Sequence, residues 1–286
     1  MTGLRRNAWS MSAWLVAWLL LPAAGATEPG RALLHDGKPV SPRCVEILVS
    51  TLSIPAPAVD LDGCVPDKEW RSQWNGLFYD RPPEQGEEMG GGYFGYRHVG
   101  RTSAGLDVLL TWNSGGGSGV FTEMLLVETI RDRVANHGIE ETRWRDRSQL
   151  VLRGELMGGD RCIGGIADAR VDGADVIVAF YVAAQDVVDL ATAVAQHGSA
   201  VPAPTFQGSA TECMGIARYR FHPLRDEPLR FLEIDLGPGV PLVLEQMRDR
   251  ARCANAVWEP SKAHLGLEEL RELGRRIVGC RGSTRE

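Results

Sequence analysis

The stretch Asn113-Ser-Gly-Gly-Gly-Ser-Gly119 places two hydroxyls among consecutive glycines. Backbone N–H groups exposed by such a loop can stabilise an oxyanion, so a hydrolase using residues 113–119 in this way is one functional expectation. Ser118 does not complete a Gly-x-Ser-x-Gly elbow, because Val120 stands where the last glycine belongs. The structural alternative is a hairpin loop. Asp160-Arg161, before Cys162, offers a guanidinium that could clamp a carboxylate in two-pronged fashion. Its structural counterpart has Asp160 accepting turn N–H bonds and Arg161 pairing with an acid. His98, beside Tyr96 and Arg97, could line a groove or sit half-exposed in a strand. Trp70, Trp74, Phe78 and Tyr79 could stack on a sugar or a peptide, or pack against a sheet. His98, Trp112, Asp160 and Arg161 are the candidate binding residues, and no residue set stands out as catalytic.

Metal chemistry finds little support. The six histidines are spread out, with no i, i+4 pair, and no cysteines are spaced C-x-x-C. The expectation is no metal and no cofactor. Residues 1–26 carry Arg5 and Arg6, an apolar run from Met11 to Leu21, and Ala24-Gly25-Ala26, the order of a secretory signal peptide. The run is about half the roughly 20 residues needed to span a bilayer. The expected location is therefore periplasmic or secreted, with no membrane span after cleavage. Removing Arg5 and Arg6 takes the basic count from 31 to 29 against 37 acidic residues, so the net charge moves from −6 to −8. Without a basic cluster, nucleic acid is a poor partner. An unknown envelope protein or a small ligand fits better, with the chain as a monomer.

Six cysteines in an oxidising compartment read as disulfides. Pairing within regions of the chain gives Cys44–Cys64, Cys162–Cys213 and Cys253–Cys280. Hydrophobic periodicity predicts a short helix over 44–52, strands over 92–99 and 106–112, and a strand at 120–127 whose continuation, 129–135, coils into a helical turn. The near-continuous apolar run at 106–112 implies burial on both faces. Strands follow at 149–156, and at 163–171 and 174–182 around Asp172-Gly173, a hairpin signal. A helix over 187–195, strands over 216–221 and 229–236, and helices over 242–256 and 267–278 complete the series. The fold class expected is α+β: a mainly antiparallel, β-rich centre with short helices at both ends, stapled by disulfides. The domain organisation expected is a signal peptide (1–26), a small N-terminal helical lobe and linker (27–73), a β-rich domain (74–240) and a helical tail (241–286).

Two resemblances add to this. The residues Gly105-Leu106-Asp107, Gly117-Ser118-Gly119-Val120-Phe121 and Gly159-Asp160-Arg161 resemble a segment of secreted bacterial proteins distantly similar to FG-GAP-type β-repeats. The resemblance covers Gly95–Phe221, under half the chain, and implies β architecture. Calcium binding by the turn is not implied here, because Thr102-Ser103-Ala104 replaces the acids that a hard cation needs. Leu109–Gly117 is similar to the strand and glycine-rich loop of Clp-type serine peptidases, with Gly115 in place of the proline. The functional expectation is an exported binding or interaction domain; a hydrolase, or an envelope structural or inhibitor protein, is the alternative.

Overall fold

The computed structural model describes residues 32–50, 58–64, 70–82, 91–137, 142–201, 213–237 and 262–280. The expected signal peptide and the helix expected over 242–256 lie outside these residues. Among the described residues antiparallel sheets dominate, with three short α-helices, α1 (Pro42–Ser50), α2 (Ala184–His197) and α3 (Leu267–Cys280). Among the described residues, no helix is long and apolar enough to cross a membrane.

Apart from a two-stranded hairpin, β1 (Leu34–His35) with β2 (Lys38–Pro39), the strands form two sheets. The larger comprises β3 (Ala58–Asp60), β4 (Trp70–Gln73), β5 (Gly76–Asp80), β6 (Tyr93–Arg101), β7 (Asp107–Ser114), β8 (Phe121–His137) and β9 (Thr142–Asp160). Its order is β3-β9-β8-β7-β6-β5-β4. The apolar run of β7 is buried on both faces, as its sequence requires. Val108 and Leu110 join one core with Met124 and Leu126; Leu109 joins a second core with Leu125, Tyr96 and Val45 of α1. Alternate residues of one strand thus feed two cores, which only a central strand can do. The second sheet orders β10 (Ile166–Asp172), β11 (Asp175–Val182), β12 (Gly215–Phe221), β13 (Arg230–Leu236) and β14 (His264–Gly266). The expected Asp172-Gly173 turn joins β10 to β11, with Gly173 at φ 65°.

Residues 129–135 are strand rather than helical turn. They continue β8 and pair with β9 from Thr129↔Leu150 to Ala135↔Trp144. The pairing explains the difference: this ribbon satisfies its backbone across the hairpin, a non-local partner that overrides local propensity.

Both sheets and two helices share one core. Val178, Phe180, Tyr219 and Phe231 of the smaller sheet meet Val187, Ala191 and Val194 of α2 and Leu270, Leu273 and Ile277 of α3. The helices cross closely at Gly274, where a Cβ would come within 1.9 Å of the Ala191 carbonyl oxygen. The backbones could not approach this way around a larger residue.

At the start of α2, the Asp186 carboxylate accepts a hydrogen bond from the Ala183 N–H at 2.8 Å. Burial pushes its pKa up to about 6, opposed by that hydrogen bond and assisted by Asp189. The folded state therefore holds a proton that the unfolded chain loses near pH 3.9. The stabilisation is complete below pH 4 and is lost as pH rises through about 6. The shift corresponds to no more than about 3 kcal/mol, and partial exposure lowers that to roughly 1–2. Asp186→Asn keeps an acceptor for Ala183 but cannot ionise. Urea melts at pH 4.5 and pH 7 are expected to show the wild type losing more stability than the variant over that interval; equal losses exclude the assignment.

Two of the expected disulfides are present. Cys44–Cys64 joins α1 to the chain after β3, with Cα atoms 5.9 Å apart. Cys162–Cys213 joins the β9–β10 turn to the segment entering β12, with Cα atoms 4.6 Å apart. The third expected pair, Cys253–Cys280, involves Cys253, which lies outside the described residues.

Candidate functional site

The pleat decides which of the candidate side chains can meet. On the face of the larger sheet that carries Leu110, one cross-strand row runs Arg71, Phe78, Gly95, Trp112. The Phe78 ring lies over Gly95, where a Cβ would sit 2.1 Å from a ring carbon. Around it the rings assemble. Trp74 is 5.3 Å from Phe78 edge-on, 6.2 Å from Tyr93 and 6.1 Å from Trp112, and Trp112 is 5.4 Å from Phe78. Phe78 is fully buried, whereas Trp74 is 52% exposed. The cluster therefore has a rigid base and a wet upper surface.

Two arginines edge it. The Arg71 guanidinium lies 5.7 Å from the Phe78 centroid and 5.8 Å from that of Tyr93. Arg97 lies 5.9 Å from the Trp112 centroid. Each has an acid: Arg71 bonds Asp80 at 3.0 Å, and Arg97 reaches Asp168 of β10 in the other sheet. Tyr93 sits at the same end. Burial pushes its hydroxyl pKa up, while the nearby Arg71 and Arg161 pull it down and Asp160 adds to the rise.

The β4–β5 turn shows strain at the centre of the surface. Trp74 and Asn75 both lie in the left-handed region, at φ 49° and 58°. Such two-residue turns favour glycine and asparagine at these positions, and a bulky residue there costs about 1–2 kcal/mol. Backbone strain of this kind concentrates at functional sites.

Of the four candidates read from sequence, three belong to this end. Trp112 is in the cluster. Asp160 accepts from the Val120 N–H at 2.8 Å and from Arg161 Nε at 3.2 Å, tying the end of the glycine loop to the β9–β10 turn. Arg161, at φ 44°, has its side chain 59% exposed and faces Tyr93 electrostatically. His98 does not join them. It pairs with Leu109, on the opposite face of the sheet, and its Nε2 lies 3.0 Å from Oδ1 of the largely buried Asp107. The glycine loop is the β7–β8 connection, with Gly116 at φ 90° and Ser118 exposed. Among the described residues, neither Ser114 nor Ser118 has a histidine hydrogen-bonded to its hydroxyl. The expected quartet of Trp70, Trp74, Phe78 and Tyr79 is divided by the pleat. Trp70 pairs with Tyr79, which faces α1, where its hydroxyl bonds Glu46.

Arg71, Gln73, Tyr93 and Arg97 are absent from the sequence-based candidates. Their common signal is alternation: Arg71 and Gln73 share a face of β4, and Tyr93 and Arg97 share a face of β6. Only the register shows that both faces are the same side of the sheet.

Two other regions are charged. A basin of about 500 Å³ is lined by Asp36, Asp62, Arg131, Asp132, Arg133 and Asp146, with Arg131–Asp36 at 3.6 Å and Arg133–Asp146 at 3.3 Å. The outer face of the smaller sheet carries a ladder in which Arg218 bonds Glu233 and Asp235, and His264 bonds Asp235 at 2.8 Å. Exposed pairs of this kind contribute little and read as a solvated face. The aromatic end differs from both in presenting exposed and half-exposed rings, with its edging arginines each paired to an acid. Comparison of the chain with protein-family models, with curated proteins and with solved structures finds no match.

Proposed function

We propose that this chain works outside the cytoplasm, in the periplasm or secreted, as a binding domain whose ligand face is the aromatic end of the larger sheet. The two disulfides fit an oxidising compartment, and the order of residues 1–26 supports export. The observation that carries the binding face is Trp74: half-exposed, held in a strained turn, and set on a rigid aromatic base. A large ring kept in water at a conformational cost is explained by what lands on it. The paired charges support binding rather than turnover, because Arg71, Arg97 and Arg161 each already have an acid.

The mature chain has five tryptophans, Trp70, Trp74, Trp112, Trp144 and Trp258. Their indole N–H signals can be assigned by single Phe replacements and followed by NMR during titration with size-fractionated envelope extract. Shifts centred on Trp74 and Trp112 are the expected result. Shifts confined to Trp144 or Trp258, or none, would remove the aromatic end from consideration.

A further inference from the structure

We infer that the outer edge of β9 at residues 154–157 docks an extended segment of a partner protein, one that sets a lysine or arginine beside an apolar residue. This surface lies on the opposite face of the larger sheet from the aromatic end.

Two rows of paired residues define it. Thr111, Glu123 and Met157 form one row, and Leu109, Leu125 and Glu155 form the next. Paired residues project to the same face. Leu109 and Leu125 belong to the core shared with α1, so Glu123, Glu155 and Met157 stand on that side. Phe121, two residues before Glu123 on β8, stands there too. The helix packs over β5 and β6 and leaves this corner open. Phe121 is 53% exposed and Met157 59%. Diagonal neighbours in a sheet are about 7–8 Å apart, so the two apolar side chains and the two carboxylates make one patch.

The strand edge beside the patch is free. β9 has β8 on one side and β3 on the other, and β3 reaches no further than Ala58 opposite Val151. At the far end, the Gly159 N–H bonds the Gly164 carbonyl. Between these points, among the described residues, no strand pairs with the outer side of β9. Register shifts near both ends leave 154–157 as the regular stretch. Bulges of this kind limit pairing along an edge. An added strand therefore gains a short ladder and draws the rest of its affinity from side chains.

The charges select those side chains. Neighbouring acids have cations: Glu128 has Arg153 at 2.7 Å, and Asp160 has Arg161 at 3.2 Å. Among the described residues, Glu123 and Glu155 have none. Burial pushes the Glu123 carboxyl up, and Glu155 beside it adds to the rise, as two like charges without a counter-ion must. A cationic side chain between them relieves both. An apolar side chain two residues along covers Met157 and Phe121. An extended segment supplies that spacing by alternation, with main-chain bonds to the edge giving affinity and alternate side chains giving specificity. A second copy of this chain fits badly. Antiparallel pairing of two such edges about their middle gathers the carboxylates of both copies, and like charges opposed across strands destabilise. A small free cation leaves both apolar side chains in water.

The test uses the mature protein and acetylated heptapeptides of the form Thr-X-Thr-X-Thr-X-Thr with a C-terminal fluorophore. Each X is lysine, glutamate, leucine or phenylalanine, and binding is read by fluorescence anisotropy. Peptides with lysine next to leucine or phenylalanine in the X series are expected to bind, and those with glutamate in place of lysine are not. Glu123→Gln combined with Glu155→Gln is expected to weaken the best peptide about tenfold or more. The melting temperature of this variant is expected to equal or exceed that of the wild type, because a repulsion is removed. Norleucine in place of the peptide lysine makes the same comparison on the unaltered protein, with the same loss expected. Copies of the best peptide N-methylated on alternate residues, in two complementary sets, test the ladder: at least one set is expected not to bind. Hydrogen exchange is expected to slow at 152–158. Absence of binding by every peptide up to about 1 mM overturns the inference. So does binding that survives both the glutamine pair and the norleucine replacement, or that tolerates both N-methylated sets. Protection confined to other strands overturns it as well. A concentration-dependent dimer in sedimentation that Met157→Ser abolishes would give the edge to a second copy instead.

Discussion

Replacing Cys162 and Cys213 together by serine is expected to lower the unfolding free energy by about 4 kcal/mol. The bridge spans a sequence separation of 51 residues, against 20 for Cys44–Cys64. In the chain-entropy description, these loops correspond to about 4 and about 3 kcal/mol. Packing adds little to the first figure, because Cys213 is exposed and Cys162 half-buried. Cys64, by contrast, is buried in the core beneath α1, so its replacement would mix entropy with lost packing. The consequence for the candidate site is local. The bridge fixes the turn in which Arg161 and Gly164 adopt φ 44° and 69°, and from which Asp160 reaches the Val120 N–H. Freed of the bridge, that turn loses its anchor to β12, and Arg161 no longer holds its position near Tyr93. Guanidinium melts of the variant and of the oxidised wild type check the value. A difference below about 1 kcal/mol would mean that the bridge fastens chain already ordered by the β9–β10 pairing.

Much of the fold is legible in the residues themselves. The near-continuous apolar run of β7 suits a strand covered on both sides, and it is one. Asp172-Gly173 marks its hairpin because both residues tolerate the turn. Two cysteine pairs follow from proximity in the chain. What could not be read is the register. Arg97 and His98 are neighbours in sequence, and alternation alone sends them to opposite faces. That Arg97 then shares a face with Gln73 and Trp112 depends on which residue of β5 stands opposite which of β6. The same limit explains residues 129–135. Their charged, mixed composition suits a helical turn locally, and only the cross-strand partners, among them Arg133 with Asp146, make them strand. The site inherits this ignorance. Trp112, Asp160 and Arg161 stand out by residue type, whereas Arg71, Tyr93 and Arg97 join them only through the register of β4 to β7.

Two substitutions one turn apart are expected to separate stability from binding. Phe78→Ala removes a fully buried ring that touches Trp74, Tyr93 and Trp112. The cost is expected to be about 3–5 kcal/mol, because the ring fills space above Gly95 and nothing there can collapse inward. Gly95→Ala is also destabilising in the wild type, since its Cβ would enter the Phe78 ring. In the Phe78→Ala background the same change refills part of the gap, so the pair should couple favourably in a double-mutant cycle. Trp74→Asn behaves differently. It gives up edge contacts worth about 0.5–1.5 kcal/mol, but places at φ 49° a residue that accepts the left-handed region, recovering about 1 kcal/mol. The two terms nearly cancel, and stability is expected to stay within about 1 kcal/mol while ligand binding is lost. Chemical denaturation and the titration with envelope extract, followed at the Trp112 indole, measure both. A loss above about 2 kcal/mol in Trp74→Asn would show that the indole is part of the packing, and its exposure would then no longer require a ligand.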